Sequence, residues 1–214
     1  MGLGISVGML CDQARNDPEG FVAHRDGFER LSRALAAEGI EWREPEVIHT
    51  DGDHDFSGGF PYSYLAHLRR AFTLAGLGEP VTAASAASDE DYAADMEKVA
   101  DESTMFASHL LCHADYAGYY VPVDFADPLF LPEEAEVAGA GMVGSSQRLL
   151  AELVGFAASI GVAIDEKGAP NTAEEAVAGG FAEAEAFDAE RYAWTALYGA
   201  CLASVESGHA IVFC

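Results

Sequence analysis

Residues 106–125 read Phe-Ala-Ser-His-Leu-Leu-Cys-His-Ala-Asp-Tyr-Ala-Gly-Tyr-Tyr-Val-Pro-Val-Asp-Phe, and the fold class turns on this stretch. On both sides of it the apolar residues recur at helical spacing. Within it they gather into two short, β-prone runs, Phe106–His113 and Tyr119–Phe125, separated by the turn-forming Ala114–Gly118. That arrangement predicts a hairpin. Pro122 lacks an N–H to donate to a ladder, so the second run is expected to be an edge strand or to carry a bulge. Strands amid helices predict an α+β fold: one domain over residues 1–214, with a small antiparallel or mixed sheet packed against several amphipathic helices.

Working outward, Asp17-Pro18-Glu19 reads as an N-cap followed by proline at the first helical position. The helix it opens carries Phe21, Phe28, Leu31 and Leu35 on one stripe and stops near Gly39. Val47-Ile48-His49 is a strand candidate leading into a loop at Thr50–Gly59. Leu65, Leu68 and Phe72 mark a helix over Pro61–Ala75, and Gly76–Ala87 reads as a loop of small residues. Ser88-x-x-Asp91 forms a capping box for a helix with Tyr92, Met96 and Val99 on one face. Ser145 or Ser146 caps a helix with Leu149, Leu153, Phe156 and Ile160, and Met142-Val143 before it reads as a short buried link. Asn171 or Thr172 opens an Ala/Glu-rich, weakly amphipathic segment. The last helix spans Asp188–Ser207 with Trp194, Leu197, Cys201 and Val205 inward; Gly208 ends it, and His209–Cys214 is a terminal strand.

Charge is the other dominant feature. The chain holds 36 acidic and 11 basic residues, a formal net charge of −25 on 214 residues. Residues 1–70 carry a net of −5 and residues 71–214 a net of −20. Hydrophobic residues make up 50% of the chain, too many for a disordered acidic tail. Like-charge repulsion argues against nucleic acid and anionic membrane as ligands and favours a basic protein partner. No apolar run reaches the length of a membrane helix. Met1–Val7 lacks a basic n-region and reads as a short apolar strand rather than a secretory signal. It fits the Met-Gly-x-x-x-Ser myristoylation pattern, but one acyl chain with no basic patch beside it binds membranes only marginally. Cys11, Cys112, Cys201 and Cys214 are widely spaced in apolar stretches, which predicts reduced, buried thiols and a cytoplasmic location. Acidity of this degree also suits an acidic intracellular proteome with no dedicated partner.

Three constellations have the residue types for chemistry or binding. His49-Thr50-Asp51-Gly52-Asp53-His54-Asp55 offers hard and borderline metal ligands but lacks the EF-hand order, and turn chemistry yields similar loops. His109 and His113 share a face at i, i+4, without the glutamate of a zinc-hydrolase motif; half-buried histidines beside an apolar strand are the simpler reading. His49, His54, His109 and His113 are therefore the residues a metal would use, while no metal or cofactor is expected. The third comprises Asp115, Tyr119, Tyr120 and Asp124 on the hairpin with Ser145, Ser146 and Arg148 at a helix start. A cation in a first helical turn opposes the helix dipole, so Arg148 calls for an acidic partner, either Asp115 or Asp124. This set reads as a binding surface or as a clamp tying helix to hairpin. Gly139–Ser146 lacks the Lys-Ser/Thr pair of a phosphate loop, and no Gly-x-Ser-x-Gly elbow occurs.

Gly118–Phe125 and Gly144–Leu153 resemble segments of uncharacterised actinobacterial proteins and the strand-plus-helix signature of small cytosolic immunity proteins from polymorphic toxin systems. The resemblance covers about 18 residues. It implies binding without chemistry, and no catalytic residue carries over. The resulting expectation is a non-enzymatic, acidic cytoplasmic protein that binds a cationic partner, such as a nuclease toxin. The alternative is a small metal-dependent hydrolase built on the histidine and aspartate clusters.

Overall fold

The computed structural model describes residues 2–46, 56–165, 169–170 and 186–214. In these residues the elements run β1 (Gly2–Val7), α1 (Met9–Asn16), α2 (Pro18–Ala37), β2 (Phe56–Pro61), α3 (Tyr62–Gly76), α4 (Asp89–Ser103), α5 (His109–Cys112), β3 (Gly118–Val121), β4 (Leu129–Phe130), β5 (Met142–Ser145), α6 (Ser146–Phe156), α7 (Asp188–Ser207) and β6 (Ile211–Phe213). Six strands form one mixed sheet in the order β2-β1-β6-β3-β5-β4, with β3–β5 the parallel pair. The fold is α+β.

Alternation along the strands splits the interior into two layers. Leu3, Ile5, Val7, Tyr120, Ile211 and Phe213 face α3, α6 and α7, packing with Leu68, Leu153, Trp194 and Leu197. Tyr119, Val121, Val143 and Val212 face the other way, onto Leu10 of α1 and Phe28, Leu31 and Leu35 of α2. Adjacent tyrosines thus serve opposite layers. Gly144 is required where β5 crosses Tyr120, since a Cβ there would lie 2.2 Å from the ring.

Local signals placed the helices well. Asp17 caps α2 by accepting from the Gly20 N–H, Ser88 caps α4 from Asp91, and Ser145 caps α6 from Arg148. Gly208, at φ 82°, ends α7. Val205 departs from its expected place and is exposed, with Ser204 turned inward to bond the His209 carbonyl.

The centre of the chain differs from the predicted hairpin. Phe106–His113 contains the helical turn α5 instead of a strand. Ser108 caps it, and the Glu152 carboxylate accepts the His109 and Leu110 N–H groups at 2.8 Å each. β3 is an interior strand between β6 and β5, not an edge. Pro122 lies just past its end, where no ladder bond is lost. Met142-Val143 is strand β5. Phe56–Gly59, expected as loop, pair with β1 as part of β2. The Val47-Ile48-His49 strand, His54 and the weakly amphipathic segment expected from Asn171 or Thr172 lie outside the described residues. Among the described residues no helix is long and apolar enough to cross a membrane. Cys112, Cys201 and Cys214 are unpaired thiols; Cys201 is buried as expected, Cys214 exposed.

Candidate functional site

Four of the seven residues expected to form a binding surface are interior. Tyr119 packs on Phe28, while Tyr120 donates to the His109 carbonyl at 3.0 Å from within the other layer. Ser145 is buried as the α6 cap, and Ser146 Oγ meets Ser204 Oγ at 2.8 Å. The other three are exposed. Arg148 holds Asp124 through Nε at 2.5 Å and a second nitrogen at 3.3 Å, which identifies the acidic partner that its dipole-opposed position demanded. Asp115 instead pairs with Arg69. Asp124 and Arg148 tie α6 to the segment after β3, in the manner of a clamp.

His109 and His113 are likewise held in structural roles. The Ser145 N–H donates to His109 Nδ1 at 3.0 Å, so the ring proton sits on Nε2 and is donated to the Ala126 carbonyl at 3.2 Å. Both ring nitrogens are occupied, and burial lowers the pKa of His109. His113 donates from Nδ1 to the Ala114 carbonyl and stacks on Tyr120 at 4.2 Å. Among the described residues its buried Nε2 has no hydrogen-bond partner, and burial depresses its pKa to about 4. Among the described residues no group of three or more His, Cys, Asp or Glu is placed to hold a metal ion. His49 and His54 are outside them.

The surface feature that stands out is α4. Asp89, Glu90, Asp91, Glu97 and Asp101 are exposed on it and Glu102 partly so. Six carboxylates over a 15-residue helix about 22 Å long amount to one charge per about 4 Å, near the ~3.4 Å spacing along one strand of a DNA duplex. Glu90, Glu97 and Asp101 fall within about 20° of one line along the axis. Exposed Asp124, Asp127, Glu133, Glu134 and Glu136 extend the acidity over the segment around β4. Phe106, just past α4, meets Phe130 of β4 edge-on at 5.0 Å and joins the two regions.

Consecutive arginines on α3 position this surface. Arg69 is buried and bonds the Leu110 carbonyl at 2.9 Å and the His113 carbonyl at 2.5 Å, which fixes α5. Arg70 is only 1% exposed. Its Nε reaches Asp95 of α4 at 2.9 Å, while its terminal nitrogens bond the Thr82 carbonyl at 2.6 Å and Oγ1 at 2.9 Å. Tyr92 covers it at 5.7 Å, and Lys98 bridges Asp95 to Glu79. Burial by itself would raise the Asp95 pKa; the hydrogen bonds from Lys98 and Arg70 outweigh it and hold the carboxyl below its ordinary value. The inward charge of α4 is thus neutralised by residues that fasten the helix, and its outward charge is not. Ser88-x-x-Asp91 was legible in the sequence as a capped helix start, though the row of exposed carboxylates on that helix was not singled out there. The arginine anchors were not, because nothing local says that Arg69 and Arg70 point inward.

A model of the family described as "Putative DNA-mimic protein" matches residues 1–213. No curated protein and no solved structure matches the chain. The family match corrects the expectation that the acidity places nucleic acid outside this protein's function. Repulsion between like charges keeps a duplex off such a surface, and the family's description instead brings in DNA as a molecule to be mimicked. The match spans nearly the whole chain, which therefore belongs to the putative DNA-mimic protein family.

Proposed function

We propose that this chain is a non-enzymatic protein that occupies the DNA-binding surface of a DNA-binding protein through α4 and the acidic segment from Asp124 to Glu136. One observation carries the reading: six solvent-reaching carboxylates stand on a helix whose inward face is locked by Arg70 and Asp95. A fixed row of charge resembles a phosphate backbone better than charge on mobile loops, because less ordering is needed on binding. Cationic side chains that select phosphate would meet carboxylates at similar spacing, and long-range attraction would speed the encounter.

A cytoplasmic setting is part of this reading, supported by the unpaired thiols of Cys112, Cys201 and Cys214. A nuclease toxin is the narrower form of the partner; it rests on the resemblance of Gly118–Phe125 and Gly144–Leu153 to immunity proteins.

The test is competition. Proteins of the source cell retained by the immobilised chain are challenged with double-stranded DNA, and the released proteins are assayed for DNA binding. Release by duplex, together with weaker retention on a Glu90→Gln/Glu97→Gln/Asp101→Asn chain by about tenfold or more, is the expected result. A retained protein that binds DNA and the chain at the same time would refute the proposal.

A further inference from the structure

Between α3, the end of α4 and the start of α5 lies a groove of about 320 Å³. Its walls include Phe72, Leu77, Met105 and Leu111, and its ionisable lining consists of Glu102 and Glu152. Among the described residues no basic side chain lines it. The nearby cations are committed elsewhere, Arg69 to Asp115 and Arg70 to Asp95. The Glu102 carboxylate makes no hydrogen bond or ion pair among the described residues and sits in the last turn of α4, where a negative charge opposes the helix dipole. Glu152 is held by the His109 and Leu110 N–H groups and the Ser108 hydroxyl. Burial, only partly offset by those bonds, raises its pKa. Thr73 also lines the groove, and its buried Oγ1 has no hydrogen-bond partner among the described residues.

The rim is unusual in being apolar. Met105 is 69% exposed and Phe106 57%, and Phe106 has φ 54°, a left-handed conformation that a bulky L-residue disfavours. Exposed apolar side chains presented by a strained backbone turn, within an otherwise acidic surface, do not match a phosphate row. They match the other half of a cationic side chain, its hydrocarbon stem.

We propose that this groove receives one arginine side chain of the DNA-binding partner, its stem against Met105, Leu77 and Phe72 and its guanidinium between Glu102 and Glu152. The inference rests on the DNA-competition reading and adds to it a discrete anchoring point beside the charged row. Arginine is preferred to lysine because a planar, weakly hydrated guanidinium packs on apolar walls while bonding carboxylates at its edge. A cation there also relieves the unpaired charge on Glu102 and the burial of Glu152.

Ethylguanidinium serves as the side-chain probe, with neutral propylurea as its control, in NMR titrations of the labelled full chain. The expected result is saturable shifts confined to Thr73, Leu77, Met105, Ala107 and Leu111, with a Kd on the order of 10 mM. Glu102→Gln is expected to weaken binding about fivefold, and propylurea to give no saturable shifts. Equal shifts from propylurea, or shifts spread evenly over all acidic clusters, would overturn the assignment. The Ala107→Trp chain, filled at the groove edge, tests the link to the partner: retention reduced severalfold supports the anchor, and unchanged duplex-displaceable retention overturns it. Loss of saturable probe binding with duplex-displaceable retention intact removes the groove and leaves the competition reading standing. Probe binding without any duplex-displaceable partner removes the competition reading and leaves the groove as a guanidinium site.

Discussion

Replacing Arg70 with Met asks whether the acidic helix is held by a buried ion pair. The guanidinium is 1% exposed and donates to Asp95, the Thr82 carbonyl and Thr82 Oγ1. Met approximates the stem and removes every donor. Asp95 is then left buried with Lys98 as its one cationic neighbour among the described residues. Removing one member of a buried pair costs about 3–5 kcal/mol, mostly the desolvation of the charge left behind. For a chain of this size that corresponds to a fall in Tm of about 6–20 °C. Urea unfolding by circular dichroism supplies the free energy and thermal scans the Tm. The double variant Arg70→Met/Asp95→Leu removes both charges and is expected to recover to within about 2 kcal/mol of the parent. The pair also has a pH signature. Folding lowers the Asp95 pKa, so its stabilisation is complete above the ordinary value of 3.8 and is lost as pH falls through the depressed folded value. In Arg70→Met the acid unfolding limb is expected to move to higher pH. A single variant within about 1 kcal/mol of the parent, or a double variant as unstable as the single, would refute the assignment of Arg70 as the anchor.

Two further predictions concern residues that the sequence offered as candidates. His113 titrates near 4 when folded against 6.5 as its ordinary value, so the native state favours neutral imidazole. Its contribution is complete above pH 6.5 and is lost progressively toward and through pH 4, a swing of about 3 kcal/mol. Comparing urea unfolding of His113→Leu and the parent at pH 7, 5 and 4 should show a shallower decline for the variant; parallel declines would contradict this. Arg148→Ala is expected to change stability by no more than about 0.5 kcal/mol, because the exposed Asp124 pair is screened and its loss also removes a dipole-opposed cation. Equilibrium unfolding checks this, and a loss above about 2 kcal/mol would show that the clamp matters more than its exposure indicates.

The legibility of this chain follows the range of the interactions. Asp17, Ser88, Ser145 and Gly208 act on backbone groups a few residues away, and helix ends set by them were readable from the sequence. The amphipathic stripes of α2, α3 and α6 were readable for the same reason, since periodicity along one element reports a single buried face. Val205 failed because the buried face of α7 is broader than one stripe and includes Ser204. The Tyr119-Tyr120 pair stood out as a binding feature because it sits with Asp115 and Asp124 on what reads as one hairpin. The sheet takes one ring into each layer, and the Tyr120 hydroxyl finds the His109 carbonyl.

By itself, then, the sequence determined the α+β class, most helix boundaries and a strongly negative surface, because composition, period and capping act locally. Tertiary structure decided the rest. Phe106–His113 is β-prone by composition, yet a carboxylate more than 40 residues later satisfies the α5 amides and makes a helical turn the better state. β3 is central because its partners come from β5 and from β6, about 90 residues downstream, and no local pattern encodes that pairing. The surface proposed to meet the partner also depends on tertiary structure. Charge counting found the acid but not which of it is held still, and that depends on two arginines of α3 that turn inward to fasten α4 and α5.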